Sequence, residues 1–346
     1  MKRDLGRGGI VVHPYRGYGS RREVFLMGRV FHQAALGRAI PHHGMLRDVA
    51  DVVRRLARRG VSGVRVEARL GANRTTATTD RDGFFDLHLP LETPLPQERV
   101  WHQAELQLVR GDERVHCYAE AYIPPSETDL LVISDIDDTV MYTGVADRLR
   151  MLYRLFVQKA HQRTAFPGVA SLYRALHAGA EGDARRPILY VSQGPWSIYE
   201  MLEAFFQLNS IPVGPILFLR EWGLSWRRPW PRRAEGHKHA LITRMLTMME
   251  GLPCVLIGDS GQRDPEVYTR IVKEHPGRVK AIYIRRVDNK PDRERAIERL
   301  RQEIAHSDCE LVLAADSVAM ATHAYRHGWI SRADLSAVRQ ACVDEG

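Results

Sequence analysis

Two carboxylates one residue apart, Asp135 and Asp137 in VISDIDDTVMYTG (132–144), stand where a hydrophobic run ends. A chain leaving a strand tip at a two-residue alternation can project both into one crevice. There they can divide labour, one ionised as a nucleophile or metal ligand, its neighbour kept protonated by the shared charge to act as an acid. Acidic residues also cap helices that follow strands, so the string by itself leaves that structural reading open. A second apolar run ends in CVLIGDSGQRDP (254–265), which delivers Asp259 and, five residues on, Asp264. Hard oxygen ligands from two strand tips suit Mg²⁺, which keeps several waters and a substrate phosphate in its shell. Asp264, just before Pro265, equally suits a helix cap. Ser192 ends a third run in YVSQGPW, ahead of a helix start at Pro195, where a hydroxyl and backbone N–H groups can hold a phosphate or merely cap a helix. Lys238, in EGHKHALI, is expected in the first turn of a helix, against its dipole, and so asks for an anionic partner.

The elements that must carry these residues divide near position 124. Before it, residues 23–32, 62–70, 83–89, 99–109 and 113–123 are short β-branched and aromatic runs, several alternating at period two. They read as a small antiparallel β-sandwich over 1–124. Leu46, Val49, Val53 and Leu56 recur at helical spacing before Gly60, which predicts an amphipathic helix over 45–59. The segment TTATTDRDGFF (75–85) resembles the turn of transthyretin-like or carboxypeptidase-regulatory sandwiches, in which Asp-x-Asp-Gly supports the hairpin. IPPSETD (123–129) is a polar connector. After it the continuous apolar runs 130–134, 188–192, 216–219, 254–258 and 280–285 alternate with helical patterns at about 147–160, 168–179, 195–207, 236–249, 265–274 and 291–305. This order predicts an α/β domain over 125–346 with a doubly wound parallel sheet and ligands at the carboxyl ends of its strands.

Composition bounds the rest. The 346 residues are 44% hydrophobic and 27% charged, which excludes a disordered or collagenous chain. The four cysteines lie far apart without any CxxC, so neither a disulfide framework nor a zinc site suggests itself. The opening residues lack an apolar signal core and no run approaches 18 apolar residues, so the expectation is a cytoplasmic protein whose membrane contact is peripheral. The net charge of +8 favours anionic partners. It is concentrated in residues 1–60, which hold 13 Lys and Arg against 4 Asp and Glu, including Arg54, Arg55, Arg58 and Arg59 on the expected amphipathic helix.

In order, Asp135/Asp137/Thr139, Ser192, Lys238 and Asp259/Asp264 resemble the four motifs of the haloacid dehalogenase superfamily of phosphotransferases. More narrowly, SDIDDT, YVSQGPW and IGDSGQRDPEVY resemble the catalytic domain of the actin-patch phosphatidate phosphatase family over about residues 125–290. Gly194 departs from that family's YxSxSPW pattern. The resemblance implies a HAD-like Rossmannoid fold and a Mg²⁺-dependent phosphomonoester hydrolase. Asp135 would attack phosphorus to give an aspartyl-phosphate, and Asp137 would act as acid and then base. Asp135, the Asp137 carbonyl, Asp259 and Asp264 would serve Mg²⁺. Ser192, Gln193, Gly194 and Lys238 would hold the phosphoryl group, while Thr139 would support the loop.

Between Ser192 and Lys238 the chain has no room for a large cap domain, which suits a bulky or surface-bound substrate. REWGLSWRRPWPRRAEGHK (220–238) sets Trp222, Trp226 and Trp230 four apart among six basic and two acidic residues. Tryptophan favours the headgroup region and arginine pairs with phosphate, so Trp222, Arg227 and Arg228 are candidates for a phospholipid monoester such as phosphatidate at an anionic membrane. The same residues would serve single-stranded nucleic acid, which keeps a polynucleotide end phosphatase as the alternative enzyme. A lipid-surface adaptor with secondary phosphatase activity is the alternative of a different class. His323 and His327 lie four apart, a metal-binding spacing on a helix, but with no third ligand in view they read as surface residues.

Overall fold

The computed structural model describes residues 9–32, 60–96, 98–137, 139–140, 165–194, 196–218, 234–287 and 290–345. Two compact units, Met1–Pro125 and Ser126–Gly346, share the chain. The expected helices at 45–59 and 147–160 lie outside the described residues, as do Trp222, Trp226, Arg227, Arg228, Trp230 and Pro195.

The first unit is built from β1 (Ile10–Gly19), β2 (Glu23–His32), β3 (Arg65–Leu70), β4 (Asn73–Thr78), β5 (Phe84–Pro90), β6 (Trp101–Arg110) and β7 (Glu113–Tyr122). They form one seven-stranded sheet, ordered β4-β3-β6-β7-β1-β2-β5, not the two stacked sheets of a sandwich. Its two edge strands, β4 and β5, follow each other in sequence and approach each other, so the sheet curls almost closed. A curled sheet buries one face against itself just as two stacked sheets do, so the same alternation serves both. The buried face carries Leu26, Val66, Ala68, Phe85, Leu87, Leu106 and Leu108. Two strands escaped the sequence reading. β4 is nearly all polar, and β1 contains Pro14, which is tolerated because at that point β1 pairs only with β2, meeting β7 at Gly17 and Tyr18. Between β4 and β5, Asp80 Oδ1 accepts from the N–H groups of Asp82 and Phe84, both at 2.9 Å, and Gly83 takes φ +83° to complete the turn.

The second unit contains β8 (Leu131–Asp135), β9 (Ile188–Ser192), β10 (Ile216–Phe218), β11 (Cys254–Asp259), β12 (Val279–Arg285) and β13 (Glu310–Ala314). All are parallel, in the order β10-β9-β8-β11-β12-β13. Sequence order therefore runs outward in one direction from β8 and in the other from β11. The carboxyl ends of these two adjacent strands form the switch point where open α/β sheets place ligands. β8, β9, β10 and β11 are buried at every residue, which is why they read as continuous apolar runs without alternation. The described helices are α1 (Val169–Ala178), α2 (Tyr199–Leu208), α3 (Ala234–Met248), α4 (Asp264–Glu274), α5 (Pro291–Glu303), α6 (Ser317–Arg326) and α7 (Arg332–Glu345). No helix among the described residues is long and apolar enough to cross a membrane.

Candidate active site

Asp135 is the last residue of β8, Asp259 the last of β11 and Asp264 the first of α4, and all three are buried. One carboxylate oxygen from each lies within 4.8 Å of the other two. Gly258 makes this possible, because a Cβ there would stand within 2.8 Å of the Asp264 carboxyl carbon. The loop between the two acids is wound round Asp259, whose Oδ1 accepts from the N–H groups of Gly261 at 2.6 Å and Gln262 at 2.8 Å. Asp264 does not cap its helix. Its Oδ2 accepts from the Asp259 N–H at 3.1 Å and its Oδ1 from Lys238.

Lys238 sits in the second turn of α3, since that helix begins at Ala234, two residues earlier than expected. Its ammonium is nonetheless buried, with Nζ 2.8 Å from Asp135 Oδ1 and bonded to Asp264. The two carboxylates, rather than the helix dipole, account for its charge. Burial opposes that charge, yet Asp135 and Asp264 hold the ammonium pKa above its ordinary value. Asp135 is pushed well above the carboxylate range, chiefly by burial, with Asp264, Asp137 and Asp259 adding to the rise and Lys238 opposing it. Four carboxylates and one ammonium buried in one crevice carry a formal negative excess that a further cation or a proton would offset.

Asp137 faces the tip of β9. Its Oδ2 accepts from Ser192 Oγ at 3.3 Å and from the Gln193 N–H at 3.2 Å, while Ser192 Oγ accepts from the Gly194 N–H at 3.0 Å. At Gly194 the side chain of Ile198 occupies the space a Cβ would take, which explains a glycine at this position of the motif. A 3₁₀ turn, Trp196–Ile198, follows before α2 begins. Thr139 is buried, but its hydroxyl finds no hydrogen-bond partner among the described residues. Its carbonyl is tied down instead, accepting from Arg285 Nε at 3.2 Å, and Arg285 also donates to Ser317 at 2.9 Å.

The sequence reading assigned no role to Gln262, although it lies inside the GDSGQRDP string. Its Nε2 donates toward Asp259 Oδ2 at 2.9 Å, the Asp137 carbonyl at 3.1 Å and Asp135 Oδ2 at 3.2 Å, while its Oε1 accepts from Gln193. One N–H₂ group thus gathers oxygens of three of the four residues that the motif resemblance assigns to a metal. Ser134, Tyr173 and Tyr268 were also missed. Ser134 Oγ bonds the Tyr173 hydroxyl and donates to the Asp135 carbonyl, and the Tyr268 ring lies 5.9 Å from Lys238 Nζ. Arg186, buried, donates to Asp129 at 2.6 Å and to the carbonyl of Trp329, fastening the segment that leads into β8.

Residues 130–286 match the family described as "Phosphatidate phosphatase APP1, catalytic domain". Phosphatidate phosphatase APP1 of Saccharomyces cerevisiae is 33% identical over 169 residues, covering 49% of this chain and 27% of that protein. An uncharacterized protein of Schizosaccharomyces pombe is 24% identical over 211 residues, covering 60% of this chain and 34% of that one. The chain thus spans about a third or less of the length of these curated relatives. Among solved structures, a Parabacteroides merdae β-glucuronidase aligns over 96% of this chain and 50% of its own, at 9% identity and a TM-score of 0.30, a value too low to assign a fold.

Proposed function

Since residues 130–286 match the phosphatidate phosphatase APP1 catalytic-domain family, we propose that the chain is a Mg²⁺-dependent phosphomonoester hydrolase of HAD-like fold, with phosphatidate as its substrate and diacylglycerol and phosphate as products. The observation that carries this reading is the convergence of Asp135, Asp259, Asp264 and Lys238 at the switch point of the parallel sheet. The donor set fits a hard divalent cation. It is all oxygen, largely anionic and buried, and its oxygens are gathered round the N–H₂ of Gln262, a polar hydrogen donor. Asp135, Asp259 and the Asp137 carbonyl would hold Mg²⁺, with Asp264 beside them. When bound, Mg²⁺ would neutralise phosphoryl oxygens and keep Asp135 ionised.

Asp135 then attacks phosphorus, the P–O bond to the alcohol breaks, and Asp137 gives its proton to the departing oxygen. In the second half Asp137 takes a proton from water, whose oxygen displaces Asp135 and releases phosphate. The contacts of Asp137 with Ser192 and the Gln193 N–H keep its carboxyl at the tip of β9, beside the hydroxyl that would hold a phosphoryl oxygen. Lys238, already paired with Asp135, offsets the repulsion between an anionic nucleophile and an anionic substrate. Phosphate release from phosphatidate vesicles, a phosphorylated oligonucleotide and a soluble sugar phosphate, measured side by side with and without Mg²⁺, tests the reading. Selective, Mg²⁺-dependent turnover of phosphatidate is expected. Preference for the oligonucleotide overturns the substrate, and turnover unaffected by Asp135→Asn overturns the mechanism.

A further inference from the structure

At the amino-terminal edge of the parallel sheet, away from the crevice, a second group of ligand-bearing side chains comes together. Glu310 opens β13, and His323 and His327 lie one turn apart at the end of α6. Glu310 is the third residue that the sequence reading lacked, and it is supplied by a strand 13 residues upstream of His323. Its two carboxylate oxygens lie 3.2 Å from His323 Nε2 and 3.0 Å from His327 Nε2. All three ligand atoms fall within 4.8 Å of one another.

We propose that Glu310, His323 and His327 form a binding site for a borderline divalent transition metal, Zn²⁺ foremost, that pins the end of α6 to the edge strand β13. In a tetrahedral site with bonds of 2.0–2.1 Å, neighbouring ligand atoms stand about 3.3 Å apart. Glu310 Oε2 stands 3.2 Å from His323 Nε2, close to that edge length, while the 3.0 Å contact to His327 Nε2 is made by its other oxygen, Oε1. Two imidazoles and one carboxylate leave a fourth position for water, a donor set that suits Zn²⁺ and not the Mg²⁺ of the oxygen-only crevice.

The surroundings hold the ligands in place. His323 Nδ1 lies 3.0 Å from the Tyr283 hydroxyl, whose oxygen can accept the Nδ1 proton and leave the Nε2 lone pair free for metal. Gly328, at φ +70°, turns the chain back so that the Trp329 N–H bonds the Ala324 carbonyl at 2.9 Å. Trp329 then stacks on the His327 ring at 4.9 Å. Both histidines lie at the carboxyl end of α6, where the helix dipole favours positive charge.

Zn²⁺ binding to the full chain, by calorimetry and equilibrium dialysis in excess Mg²⁺, tests the site. One Zn²⁺ per chain is expected to bind, to be lost in His327→Ala and Glu310→Ala, and to weaken about tenfold in Tyr283→Phe. Substituting Co²⁺ should give an absorption band characteristic of tetrahedral imidazole ligation, absent from His327→Ala. Glu310 is 59% and His327 37% exposed by side chain, so both variants should keep the parent's melting temperature without metal. Failure of the parent chain to bind Zn²⁺, or binding that His327→Ala and Glu310→Ala leave unchanged, overturns the proposal. Neither result bears on phosphatase activity, because none of these residues belongs to the crevice.

Discussion

The two units bury different things. In the curled sheet of the first unit, the buried polar side chains among the described residues are Asn73, Thr79 and His102, set around an apolar cluster centred on Leu106, Phe85 and Val66. Asn73 donates to the Leu70 and Thr93 carbonyls, and Thr79 donates to the Val61 carbonyl and accepts from the Val64 N–H. In the second unit, Asp135, Asp137, Lys238, Asp259 and Asp264 are all buried together at one end of a sheet whose strands are mostly apolar. A protein gains little stability from burying charge, and breaking such a set costs more than never having had it. The first unit therefore shows what folding alone asks of a core, and the second shows what the proposed catalytic site would impose upon one.

Substitutions that separate stability from activity sharpen this contrast. The largest effect is expected at Asp135→Asn. Turnover should fall by at least about a hundredfold, while the melting temperature of the metal-free protein stays level or rises, because a buried like-charge cluster loses one member. A clear loss of stability would place Asp135 among ordinary structural residues. Lys238→Met is expected to do both kinds of harm, costing about 4 kcal/mol in denaturant unfolding by leaving Asp135 and Asp264 unpaired. Adding Asp135→Asn to it should recover part of that loss.

Leu106→Ala, in the middle of the first unit, is expected to cost about 3 kcal/mol through a cavity, seen as faster hydrogen exchange along β6. Its effect on the crevice should be nil, and lost Mg²⁺ affinity in this variant would join what the comparison separates. Smaller still is a pH effect. Because the Asp135 pKa is raised in the folded chain, the carboxyl is protonated below that raised value and a cation must displace the proton. Mg²⁺ affinity measured by calorimetry should fall as pH drops through it, by up to about tenfold per unit, and be fully present above it. Asp80→Ala closes the series at about 1 kcal/mol, the loss of the turn bonds between β4 and β5.

The parallel-sheet unit was the more legible of the two. Its strands β8 to β11 are buried at every residue, so each prints a continuous apolar run, and the four motif acids sit at or just beyond such runs. The curled sheet was harder to read, because β4 is polar and β1 carries a proline. Alternation also specifies a buried face without specifying what covers it. Gln262, Arg285 and Tyr173 had no signal of their own, since a glutamine, an arginine or a tyrosine acquires a role only from the oxygen it meets.

What the sequence by itself determined is the chemistry available: which strand tips carry carboxylates, which carries a hydroxyl, and in what order. Local patterning suffices for this because a side chain's type and its place relative to a strand end are written within a few residues. Only the tertiary structure decided which of them meet. Lys238 reaches Asp135 across 103 positions of sequence, and Glu310 reaches His327 because β13 lies beside the end of α6. Such distances are closed by packing many apolar side chains at once, a property of the whole sheet that no single motif records.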